Sequence, residues 1–99
     1  MKINSIVIVN LISPKQSFFG KLLELTPAGV TIRGLDLDSF EAWTDNISAR
    51  EENGVQPTTA FFPLHRVDKM ILDEGIGAIP SLSAMFLTKV GTRVEDSLE

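Results

Sequence analysis

The chain has 99 residues, enough for one compact unit, and its 43% hydrophobic and 22% charged residues place it with globular rather than disordered chains. A net charge of −4 is the wrong sign for a non-specific phosphate binder, and the absence of cysteine excludes disulfides, thiolate zinc sites and cysteine nucleophiles. No apolar run approaches the roughly 18–20 residues that span a bilayer and no cleavage site follows Met1–Ser13, so the expectation is a soluble cytoplasmic protein with no membrane partner.

In chain order, Ile3 to Ile12 is rich in β-branched residues, and Ile6-Val7-Ile8-Val9 is apolar at every position. That pattern predicts a strand covered on both faces. After the loop Ser13-Pro14-Lys15-Gln16, a second strand runs from Ser17 to Leu25, and Gly20 inside it marks a bend, a bulge or the close approach of another backbone. Thr26-Pro27-Ala28-Gly29 reads as a tight turn. Beyond it, Val30 to Leu35 alternates, with Val30, Ile32 and Gly34 on one face and Thr31, Arg33 and Leu35 on the other.

A helix is expected over residues 39–51, where Asp38 or Ser39 caps it, Glu41 reaches back towards Asp38, and Phe40, Trp43 and Ile47 form one stripe. Glu51 to Thr59 is loop material. Thr58 to Phe62 is a short strand closed by Pro63, which belongs at an edge or strand end, and Pro63-Leu64-His65-Arg66 suits a tight turn or one helical turn before a last strand, Val67 to Asp73. Gly75 to Pro80 is a loop. Ser81 then caps a helix over 82–90 that carries Leu82, Met85 and Phe86 on one side and stops at Gly91. The expected domain is 1–91, with 92–99 a frayed tail.

Neighbouring residues in a strand point to opposite faces, so Phe18-Phe19 and Phe61-Phe62 cannot all enter one small core. The helix with Trp43 and the helix with Phe86, or another subunit, must cover the second face. The expected fold is α+β: a small, strongly bent antiparallel five-stranded sheet or barrel with an inserted helix and a C-terminal helix.

The stretch Phe19-Gly20-Lys21-Leu22-Leu23-Glu24-Leu25 followed by Val30-Thr31-Ile32 resembles the first sequence motif of the Sm-like and SH3-like small barrels. The turn carries Thr26 where that family usually has an aspartate, and Pro63-Leu64-His65-Arg66 replaces the apolar-Arg-Gly of its second motif. The resemblance implies a barrel and oligomers made by strand pairing between subunits.

Residues with chemical potential are few. His65 is the lone imidazole and has no second histidine for a metal pair. Asp36-Leu37-Asp38 outlines a metal-binding or phosphatase-type pair, but such enzymes need a longer chain, and helix capping and turn formation account for both residues. Gly75-Ile76-Gly77 outlines a phosphate loop, opposed by Asp73 and Glu74 beside it. Lys21, Arg33, His65, Arg66 and Lys69 are the candidate ligand- or RNA-binding residues, if their strands are neighbours. The reading is a non-enzymatic binding or assembly module, a homo-oligomer with an unidentified protein partner, without cofactor, metal or DNA; the alternative is an RNA-binding Sm-like protein. An enzyme would require Asp36, Asp38 and His65 to meet in one pocket.

Overall fold

The computed structural model describes all 99 residues, Met1 to Glu99. Five strands, β1 (Ile6–Leu11), β2 (Gln16–Thr26), β3 (Gly29–Asp36), β4 (Thr58–Pro63) and β5 (Val67–Leu72), form one antiparallel sheet in the order β4-β3-β2-β1-β5. Three helices accompany it: α1 (Phe40–Ser48), α2 (Leu82–Val90) and α3 (Val94–Ser97). The architecture is α+β, and β4 and β5 remain the two unpaired edges of an open sheet.

The turn between β2 and β3 is built as its sequence dictates. Thr26 Oγ1 accepts hydrogen bonds from the amides of Ala28 (3.2 Å) and Gly29 (3.3 Å), which closes the hairpin around Pro27. The register of that hairpin places Gly20 opposite Gly34, and the ladder slips by one residue between Leu22 and Glu24. The irregularity therefore lies beyond Gly20, whose own role is close approach of the two backbones.

Alternation sorts the strands into two apolar faces. The first face gathers Val7, Val9 and Leu11 of β1, Phe18 and Leu22 of β2, Val30 and Ile32 of β3 and Phe62 of β4, with Val67 and Met70 of β5 against them. Every strand contributes and no helix does. The second face holds Phe19, Leu35, Ile6 and Ile8, and the helices cover it with Phe40, Trp43, Phe86, Val94 and Leu98. Its aromatic rings run in a chain: Phe19 to Phe40 at 5.2 Å, Phe40 to Trp43 at 6.1 Å, and Trp43 to Phe86 at 5.0 Å between centroids. The unbroken apolar run in β1 and the paired phenylalanine of β2 thus have their cover within the chain.

The helix boundaries show which local chemistry prevailed. Helix α2 spans the expected residues: Ser81 Oγ accepts from Ala84 N at 3.0 Å, and Gly91 ends it at φ 89°. Asp73 adds to this start, accepting from the amides of Leu82 (2.9 Å) and Ser83 (2.8 Å) and from Ser83 Oγ (2.7 Å). Helix α1 is shorter than residues 39–51. A 3-10 turn, Leu37–Ser39, precedes it and is capped by Asp36, whose carboxylate accepts from Asp38 N at 2.9 Å; Ser39 stands at the N-cap position of α1 but makes no side-chain capping bond, and neither does Asp38. Its end falls at Ser48, two residues before Arg50 turns to φ 57°.

The tail is the clearest correction. Residues 92–99 are not frayed: α3 lies there, Val94 and Leu98 are fully buried against the second face, and Arg33 holds the last turn. Val94 and Leu98 are four apart, one helical turn, which is the spacing that anchors a short helix by one side.

Candidate functional site

Strand β4, Thr-Thr-Ala-Phe-Phe-Pro, contains no charged residue and pairs with β3 without a bulge from Gly29–Pro63 to Gly34–Thr58. Its outer row of amides and carbonyls faces no other strand. Phe62 points into the first cluster, where it meets Phe18 at 5.1 Å, and Phe61 on the opposite face is 53% exposed. The Phe61 ring lies over Gly29, where an added Cβ would come within 2.7 Å of it. At the other end of the sheet, β5 exposes Ile71 and Leu72, while its first half carries Asp68 and Lys69 and joins β1 through a bulge near Leu11. Proteins blunt open edges with charges, proline inside the strand, or bulges. Strand β5 has two of these devices and β4 has only Pro63, at its end.

The loop after β5 projects further apolar surface. Ile76 and Ile79 exchange two backbone hydrogen bonds of 2.9 Å, Gly77 supplies φ 59° at the tip, and both isoleucines are at least 70% exposed. This is a small, doubly hydrogen-bonded tip, and the amides of Leu82 and Ser83 that open α2 after it are taken by the Asp73 carboxylate.

The candidate basic residues fall into two groups. Lys21 and Arg33 are direct cross-strand neighbours on the helix-covered face. There Arg33 Nε donates to the carbonyl of Leu98 at 2.9 Å and Nη2 to that of Glu99 at 3.4 Å, so its charge complements the carbonyl end of α3. Beside them, a hydrogen bond from Arg93 holds the Glu95 carboxyl below the ordinary glutamate range, with Lys21 acting weakly in the same direction.

Arg66 and Lys69 lie elsewhere, and Lys15, which sequence reasoning missed, joins them. Arg66 clamps the β1–β2 loop, donating from Nε to the Ile12 carbonyl and from Nη2 to the Pro14 carbonyl, both at 3.2 Å. Next to that clamp lies a cleft of about 250 Å³ whose polar lining includes Asn10, Lys15, Gln16, Ser17, Asp68 and Lys69. Ser17 Oγ donates to Asn10 Oδ1 at 2.7 Å, which leaves the Asn10 amide hydrogens as donors towards the cleft. Lys15, Arg66 and Lys69 form no ion pair with any carboxylate. The signal for Lys15 was its place in the Ser13–Gln16 loop, which only the β1–β5 pairing brings beside Lys69.

Asp36, Asp38 and His65 do not share a pocket. Asp36 is engaged by Gln16 Nε2 at 2.6 Å and by the amide of Asp38. Asp38 borders a groove between α1 and α2, and His65 stands exposed in the 3-10 turn Leu64–Arg66, lining neither cavity. No three His, Asp or Glu side chains converge as a metal site, and no helix is long and apolar enough to cross a membrane.

The groove between α1 and α2 is the larger cavity, about 560 Å³. Leu37, Phe40, Leu82 and Met85 give it an apolar lining, and Asp38, Glu41 and Lys89 stand around it. Lys89 is paired with Asp45 of α1.

Comparison with protein-family models, with curated proteins and with solved structures finds no match to this chain.

Proposed function

We propose that the protein is a non-enzymatic assembly module that self-associates by strand addition, the β4 edge of one copy pairing with the β5 edge of the next. The observation that carries this reading is β4 itself: an uncharged, unbulged edge with Phe61 exposed on one face is a ready template for another strand. Two different edges at opposite ends of one sheet make a head-to-tail contact, which closes into a ring or runs on as a chain. A small Sm-like barrel fits the same picture. In its favour, all five strands feed one helix-free apolar cluster, and a three-residue turn links Pro63, opposite Gly29, to Val67, opposite Leu11.

Light scattering on the intact chain tests the reading. The expected mass is a multiple of 10.9 kDa. Phe61→Lys on β4 and Ile71→Lys on β5 each abolish assembly without lowering the unfolding midpoint, and an equimolar mixture of the two forms a dimer, because one intact edge of each kind remains. A wild-type monomer at every concentration overturns the proposal. If Ile71→Lys alone still dimerises, β4 pairs with itself and the head-to-tail geometry is wrong.

A second reading, binding of single-stranded RNA, is favoured by the three unpaired cations around the polar cleft. Each phosphate contact by a lysine contributes about 0.7 to the slope of log affinity against log salt. Loss of Lys15 and Lys69 together therefore flattens the slope by about 1.4. No RNA binding at low salt removes this reading and leaves the assembly reading untouched.

A further inference from the structure

The groove between α1 and α2 has a composition that neither strand pairing nor the polar cleft uses. Its lining is apolar and includes the adaptable thioether of Met85, which is 45% exposed. Its volume of about 560 Å³ falls within the range of built ligand sites. Its charge is one-sided. Lys89, the groove's one cation, is already neutralised by Asp45, whereas the carboxylates of Asp38 and Glu41 have neither an ion-pair partner nor a side-chain hydrogen bond. Glu41 sits in the first turn of α1, where it favours the macrodipole, and Asp38 lies in the 3-10 turn just before it, so together they leave the rim of the groove negative. With Asp45 taken by Lys89, the surrounding residues 36–52 add Asp36, Glu51 and Glu52 against Arg50 alone.

That combination selects among occupants. An anionic lipid surface meets like charge. The most exposed apolar feature of a second copy, the Ile76–Ile79 tip, follows directly on Asp73 and Glu74 and is repelled in the same way. We propose that the groove binds a segment of another protein that presents apolar side chains flanked by lysine or arginine, laid between the two helices with its apolar side on Met85, Leu82 and Leu37 and its cations on Asp38 and Glu41. This is independent of the strand-edge contact.

Trp43 is the only tryptophan and meets Phe40, a groove residue, edge to face, so its emission reports occupancy from inside the protein. The experiment titrates the intact chain with a short amphipathic peptide of leucine and lysine, and with the same peptide carrying glutamate for lysine, following Trp43 fluorescence. The leucine-lysine peptide saturates the signal and the glutamate form binds at least about tenfold more weakly, a difference of about 1.4 kcal/mol. Met85→Ala weakens the lysine peptide by a similar factor while leaving the thermal midpoint in place. The double variant Asp38→Lys, Glu41→Lys inverts the preference. Equal binding of the two peptides, no Trp43 response up to about 1 mM peptide, or indifference to both variants overturns the proposal. A change in solution mass on Met85→Ala also overturns it, by giving the groove to a second copy.

Discussion

Gly20 lies directly opposite Gly34 across β2 and β3, and their backbones approach so closely that a Cβ on Gly34 would fall 1.9 Å from the Phe19 carbonyl oxygen. A Cβ on Gly20 would fall 2.3 Å from the carbonyl oxygen of Arg33. Both obstacles are backbone, which has no rotamer by which to yield. Gly20→Val is therefore expected to cost about 3 kcal/mol or more, the upper end of overpacking effects. A urea midpoint unchanged from wild type would show that the hairpin opens at no such cost.

Phe86 is the pivot between the helical layer and the sheet, fully buried and stacked on Trp43. Phe86→Ala removes that ring and leaves a cavity, at an expected cost of about 3–5 kcal/mol. Because Trp43 loses its neighbour, a red shift of tryptophan emission in the still-folded variant distinguishes local loosening from global unfolding.

Asp73 joins the end of β5 to the start of α2 with three hydrogen bonds. Asp73→Ala leaves the first amides of α2 without this acceptor and is expected to destabilise by about 1–2 kcal/mol. Hydrogen exchange should accelerate first at Leu82 and Ser83, and unchanged protection there would count against the assignment.

Glu95 titrates below its ordinary range because Arg93 donates to its carboxylate. A carboxyl whose folded pKa is depressed contributes stability that is present above the unfolded glutamate value and disappears as pH falls through the folded one. Arg93→Ala should therefore narrow the difference between neutral and acid stability, with no effect once the carboxyl is protonated in both states. The group is close to solvent, so the effect is small and shrinks further in salt. Unfolding midpoints of the variant and wild type that run parallel from neutral to acid pH would contradict it.

Arg33→Gln takes the guanidinium from the carbonyls of Leu98 and Glu99. The expected loss is about 1 kcal/mol, since the bonds are charge-assisted but partly exposed. Trimming by carboxypeptidase should become faster, and an unchanged rate would place the anchorage in Leu98 packing alone.

The elements legible in the sequence were those decided by neighbours in the chain. The Thr26–Gly29 turn, the Ser81 cap and the Gly91 stop are local chemistry, and the structure has them where the residues put them. The need for cover on both sheet faces was equally readable, because Phe18-Phe19 and Phe61-Phe62 admit no single-sided arrangement. What failed furthest was decided at long range: Arg33 reaches residues 65 and 66 positions away. Such a contact leaves no trace in the spacing of the tail, whose charges resemble those of a free end. The candidate site divides for the same reason: the strand order sets Lys21 and Arg33 on β2 and β3 apart from Arg66 and Lys69 around β5, and spacing along the chain does not encode that order.

The two apolar clusters close at different moments of synthesis. The cluster on the helix-free face is supplied by Met70, whereas the other draws on Phe86, Val94 and Leu98. At roughly 5–20 residues per second, synthesis from Leu72 to residue 98 takes about 1–5 s. Until those residues are made, Ile6, Ile8, Phe19 and Leu35 have only α1, with Phe40 and Trp43, as cover, and the part of the face that Phe86, Val94 and Leu98 close stays open.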